Sequence, residues 1–156
     1  MHCWRRSLPS SDWLTTPAGA YNAPMGDGGL AADAGMQTCG ATADQHGNVV
    51  IGDGSNDRVR VAAASTGTFY GQAMTAGHIY TVAGDGTAGF SGDGGPATAA
   101  ELNGPYGVVV DHRGNIVIDD TFNNRIRVVA ESAGTFYGVA MTVGNIYTIE
   151  IGRAHV

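Results

Sequence analysis

Tyr106-Gly107-Val108-Val109-Val110-Asp111-His112-Arg113-Gly114-Asn115-Ile116-Val117-Ile118-Asp119-Asp120-Thr121-Phe122-Asn123-Asn124-Arg125-Ile126-Arg127-Val128-Val129 is the stretch from which the fold is read. Residues 107–111 are rich in β-branched side chains, as a short strand prefers, and His112-Arg113-Gly114 is a turn with glycine where a positive φ is expected. A second strand follows at 115–119, a turn at 120–124 and a third strand at 125–129. In that third strand arginine alternates with aliphatics, so Ile126 and Val128 share one face and Arg125 and Arg127 the other. Residues 145–149 supply a fourth strand. The pattern predicts an all-β unit, a four-stranded antiparallel meander.

The unit occurs twice. Residues 39–82 align on 106–149 without a gap, and 25 of the 44 positions are identical. Upstream the offset slips by one, so that Gly26-Asp27-Gly28-Gly29 matches Gly92-Asp93-Gly94-Gly95, and residues 14–19 are a worn copy of 79–84. A four-stranded sheet has two faces to cover, and tandem units cover one another. The expected organisation is a non-conforming segment at 1–25 with a worn strand remnant, a first unit at 26–83, and a linker loop plus second unit at 84–149. In the linker, Pro96 suits the start of one helical turn and Gly104 its exit. The tail at 150–156 leaves the repeat where Ala-Gly-Asp-Gly is expected. Back-translated, it resembles a sequencing-library adapter, so it is expected to be non-native and the chain to be a piece of a longer array.

Residues 106–111, 114–118, Asp120-Thr121 and 123–127 resemble the NHL repeat, a β-propeller blade, and the glycine-rich run 83–98 resembles the linker of long bacterial arrays of it. The first copy departs at Gly54 in place of threonine, at Asp57 in place of the second asparagine, and at Cys39 in place of tyrosine. The resemblance implies two consecutive blades of an incomplete, six-bladed propeller. It also implies a non-catalytic scaffold that binds a protein or glycan ligand through rim loops, exported or at the cell surface, and completed by further blades or by self-association. Two alternatives accompany it: part of a propeller lyase with a metal and histidines in the central channel, or an architectural spacer in a surface array. The channel-facing positions near the start of the first strand hold Gly40 and Gly107 here, not histidine or acid.

Composition narrows the function classes. Glycine accounts for 25 of 156 residues, which favours turns over long helices. The net charge is −6, every basic residue is arginine, and no basic cluster exists beyond Arg5-Arg6, so nucleic acid is not an expected partner. No apolar run is long enough to span a bilayer. The first six residues carry the charge of a secretion signal, but 7–17 lack its apolar stretch, so no signal peptide is readable. Cys3 and Cys39 form neither a disulfide framework nor a zinc site, and read as an incidental thiol and a small residue at a strand start.

The recurring Asp53, Asn56 and Arg58, with Asp120, Asn123 and Arg125, mimic a catalytic set. Their recurrence favours turn structure: carboxylate and amide groups close the turn and the arginine pairs with the aspartate across the hairpin. Gly84-Asp85-Gly86-Thr87-Ala88-Gly89 fits a dinucleotide fingerprint but opens no long helix. Asp85 and Asp93 among glycines suit a hard cation, yet lack the spacing of a calcium loop. His46, His78 and His112 occupy unrelated repeat positions. No catalytic, metal or cofactor residue is therefore nominated. Strand order in a meander places the 84–104 loop and the 120–124 turn on one rim, which makes Asp85, Phe90, Asp93, Phe122, Asn123 and Asn124 the binding candidates. The opposite rim carries the extension 131–144, whose Phe136, Tyr137, Met141 and Val143 are expected to pack on the next unit's extension.

Overall fold

The computed structural model describes residues 25–150. The strand remnant at 14–19, Cys3 and the tail beyond Glu150 lie outside the described residues. Within them the chain is all-β, its only helical segments being three-residue turns. The first repeat holds β1 (Gly40–Ala43), β2 (Val49–Asp53), β3 (Arg58–Ala62), β4 (Gly67–Phe69), β5 (Gln72–Met74) and β6 (Ile79–Ala83). The second holds β7 (Pro105–Val110), β8 (Ile116–Asp120), β9 (Arg125–Val129), β10 (Gly134–Phe136), β11 (Val139–Met141) and β12 (Ile146–Ile149). Each repeat forms an antiparallel sheet, ordered β1-β2-β3-β6 and β7-β8-β9-β12.

Two local expectations are corrected. The extension at 131–144 is not a loop: it folds into a hairpin, β10-β11, as β4-β5 does in the first repeat. The helical turn of the linker is Ala97–Ala99, with Pro96 before it as the N-cap and Ala100 closing it, so Gly104 is not its exit. Gly104 instead adopts φ 66° under the Phe122 ring, where a side chain would clash.

Register fixes which side chains share a face. Val50 lies opposite Val61, which itself pairs with Tyr80, so Val50, Val59, Val61 and Val82 form one face of the first sheet, here termed trailing. Ile116 lies opposite Val129, which itself pairs with Ile146, so with Val108 and Ile118 these form the leading face of the second sheet. Both sets belong to a single buried cluster that also takes in Ala97, Ala100 and Leu102 of the linker. At about 1.5–3 kcal/mol for each fully buried aliphatic side chain, this contact between sheets is the dominant apolar term of the fold. Glycine lets the innermost strands touch: a Cβ at Gly40 would lie 2.8 Å from the Tyr106 carbonyl oxygen, and one at Gly52 2.7 Å from that of Pro105.

The outer half of the leading face of the first sheet, with Ile51, Ala62 and Ile79, is covered by Ala31, Ala34 and Met36. The trailing face of the second sheet, with Val117, Ile126, Val128 and Ile149, is covered in part by Phe136 and Met141 of its own hairpin. Those two side chains pack within their repeat, and the first extension meets the second where Gly71 approaches Gly144. The Gly-Asp-Gly-Gly loops seal the start of each fourth strand, Gly28 N donating to Ile79 O and Gly94 N to Ile146 O.

Candidate functional site

The 84–104 loop and the 121–124 turn meet on one rim, as strand order requires. Asn123 Nδ2 donates to Gly89 O at 2.8 Å, Phe122 N to Asn103 O at 3.0 Å, and Gly104 N to Asp57 Oδ1 at 2.9 Å, so the corresponding turn of the first repeat joins the same surface. Both turns have one geometry despite the departures in the first copy. Asp57 closes one at φ 52°, ψ 42° and Asn124 closes the other at φ 53°, ψ 42°. Gly54, where the second repeat has Thr121, is explained by the partner sheet: the Tyr106 ring occupies the space a Cβ would need.

Beneath each turn lies a fully buried aspartate. Asp120 accepts from Asn103 N and Asn123 Nδ2, both at 2.8 Å, and Asp53 accepts from Gln37 N at 2.8 Å and Asn56 Nδ2 at 2.9 Å. The arginine that faces it is not the expected one. Arg58 and Arg125 stand directly opposite in register, yet the guanidinium 3.7 Å from the carboxylate belongs to Arg60 and Arg127, both fully buried. Arg127 donates to the carbonyls of Glu101 and Ser91 and to Asp93 Oδ1, at 2.8, 2.8 and 2.9 Å. Arg60 does the same with Gly35 O, Met25 O and Asp27. Each glycine-rich loop thus ends on a buried arginine, with the loop aspartate as its counter-ion. Burial pushes the Asp120 carboxyl above its usual range, only partly opposed by hydrogen bonds from Asn123 and Asn103 N and by the Arg127 charge.

These contacts sort the rim candidates. Asp93 is engaged by Arg127, Asn123 by Asp120 and Gly89, and Asn124 holds the left-handed turn position. Asp85 accepts from Thr87 N at 2.7 Å, while its carbonyl oxygen accepts from Arg58. Phe90 and Phe122 remain presented, at 41% and 56% exposure. Arg125 lies over the Phe90 ring, its guanidinium carbon 4.3 Å from the centroid, and Phe122 packs edge-on to Tyr106 at 5.7 Å. The surface combines two exposed aromatic rings, an exposed arginine and the half-buried Glu101. Sequence reasoning missed Arg125 and Tyr106 as parts of this surface, although the exchange of Cys39 for Tyr106 between copies was a visible sign.

The three histidines among the described residues do not converge. His46 tilts against Phe69 at 5.1 Å and lies 4.0 Å from Glu131, His78 shares a hydrogen bond with Gly28 O, and His112 is exposed. No group of three or more potential metal ligands occurs among the described residues. No described helix is long and apolar enough to cross a membrane. In comparison with known proteins, no family model matches this chain and no curated protein matches its sequence.

Proposed function

We propose that this chain is a non-catalytic segment of an NHL-type β-propeller, its two sheets being consecutive blades, and that it binds a protein ligand through the rim that carries Phe90 and Phe122. Repeated antiparallel meanders stacked face to face, with glycine at the innermost contact, support the blade reading. One observation carries the binding reading. Phe122 is exposed at a turn position where the first repeat has Ser55, so the turn itself does not need an aromatic there. A large ring left more than half exposed at a position where the turn does not require it is an ordinary mark of a contact surface, and loops on a rigid sheet are where such surfaces sit. Exposed rings beside an arginine suit the aromatic and Arg-rich character of protein interfaces.

The test is a peptide display selection and a glycan panel against the purified chain, repeated with Phe122→Ser and Phe90→Ala. Ligands selected on the wild type should lose at least about tenfold in affinity on both variants, the worth of one interface anchor. Peptide ligands that bind both variants unchanged would refute the rim. Binding confined to glycans would replace the ligand class.

A further inference from the structure

The contact between the two sheets has a second, unused copy of each of its halves. In the first repeat, Val50 and Val59 of the trailing face are fully buried, and Tyr70 at the hairpin tip is 3% exposed, because the second repeat covers them. Their counterparts Val117 and Ile126 are half-buried, and Tyr137 is 50% exposed. On the other side, Val108 and Ile116 of the second repeat are buried, whereas their counterparts Ala41 and Val49 in the first are exposed. Among the described residues, two complementary halves of an interface already made once are left open.

Their sizes also match. The open trailing face is the bulkier version, with Val109 and Ile126 in place of Thr42 and Val59. The open leading face is the smaller one, with Ala41, Ala43 and Val49 in place of Val108, Val110 and Ile116. Close packing requires that a gain on one side be met by a loss on the other. We infer that this chain self-associates head to tail, the trailing face of the second repeat of one copy docking on the leading face of the first repeat of another. This surface lies on the sheet faces and is separate from the rim.

Two positions make the junction between copies weaker than the internal one. Asp119 stands where Gly52 lets the innermost strands touch. A pocket of about 200 Å³ lined by Asp111, Arg113, Phe136 and Tyr137 is open where the first repeat holds a carboxylate of its neighbour. There Glu131 Oε2 accepts from Tyr70 N at 2.6 Å, but the residue a second copy would bring to the pocket is Ala64, the counterpart of Glu131.

Sedimentation velocity of the full chain over a concentration series tests the assignment. The wild type should pass from 16.0 kDa to multiples of it as concentration rises. Val109→Glu and Val49→Glu, at positions 58% and 36% exposed, should each stay monomeric while keeping the wild-type circular dichroism. Mixed together they should form a dimer that grows no further, since each keeps one intact half. Ala64→Gln should tighten association about tenfold by supplying an uncharged acceptor for Tyr137 N where Glu131 serves Tyr70 N. A wild type that is monomeric throughout, a mixture that does not pair, or an Ala64→Gln chain no tighter than wild type would each overturn the inference.

Discussion

Replacing Arg127 by alanine separates a buried structural arginine from an exposed one two residues away. The guanidinium is fully buried, donates to two carbonyls and to Asp93, and lies 3.7 Å from the buried Asp120. Truncation would strand the carbonyls of Glu101 and Ser91 and leave Asp120 without its facing cation. Removing one partner of a buried charge pair costs about 3–5 kcal/mol, most of it the desolvated group left behind. Arg125 is exposed and rests on a half-open ring, so its loss should cost about 0.5–1 kcal/mol. The assay is urea unfolding followed by far-UV circular dichroism, comparing Arg127→Ala and Arg125→Ala at equal m-value. A domain stable by roughly 5–15 kcal/mol can be brought near its threshold by the first change, so Arg127→Lys, which keeps the charge but not the planar fork, gives an intermediate point. The Arg127 effect should persist at high salt, because a buried pair is poorly screened. Equal costs for the two alanine variants, or a cost for Arg127→Ala below about 1 kcal/mol, would refute the assignment of the buried network.

Two further outcomes follow from the contact between the sheets. Gly54→Ala should cost about 1–3 kcal/mol, because the added methyl meets the Tyr106 ring, whereas Thr121→Ala at the equivalent turn should cost less; equal values in thermal or urea unfolding would disprove the close approach. Burial raises the Glu131 carboxyl above its usual 4.5, against the opposing effects of the Tyr70 N–H and His46. The folded chain therefore holds that proton more tightly than the unfolded one, and the stability it contributes is complete below that pH and lost as pH rises through the folded value. Glu131→Gln removes this dependence, so its stability relative to wild type should improve as pH is raised from 4.5; a trend in the opposite direction would show the carboxylate to be the favoured form.

Polar atoms on the opposite rim show how the same residues behave with and without a neighbour. Tyr70 and Tyr137 both donate to the aspartate of their own repeat, Asp44 at 3.0 Å and Asp111 at 2.8 Å. Tyr70, enclosed by the second repeat, has its hydroxyl pKa driven far up, first by burial and then by the Asp44 charge and hydrogen bond. Asp111 remains partly solvated, and although burial pushes its carboxyl upward, hydrogen bonds from Tyr137, Asn115 and Arg113 N outweigh it and hold the group below its usual value. The Tyr137 hydroxyl is raised too, first by burial and then by the hydrogen bond and charge of Asp111, so the two repeats share the direction and the enclosed Tyr70 is driven further.

Short-range sterics control the part of the fold that is legible in the chain alone. Alternation of β-branched side chains set the strands, glycine and asparagine marked the turns, and the repeat set the boundaries; β9 and the turn ending at Asn124 lie where the pattern put them. Strand order alone joined the 84–104 loop to the 121–124 turn. Tertiary structure decided which residues of a repeated pattern do which work. Arg125 and Arg127 are equivalent in alternation, and only the returning linker, with the carbonyls of Ser91 and Glu101, selects Arg127 for burial. Gly54 looked like a worn threonine until the Tyr106 ring of the other sheet was seen to require it. Asp85, Asp93 and Phe90 were alike as loop residues, and separated into a turn acceptor, a counter-ion and an exposed ring only once a distant strand supplied the arginines. Periodicity is a property of neighbours in the chain, whereas burial and charge pairing belong to neighbours in space: the buried arginines find theirs in the glycine-rich loop of their own repeat, and Gly54 finds its in the ring of the other.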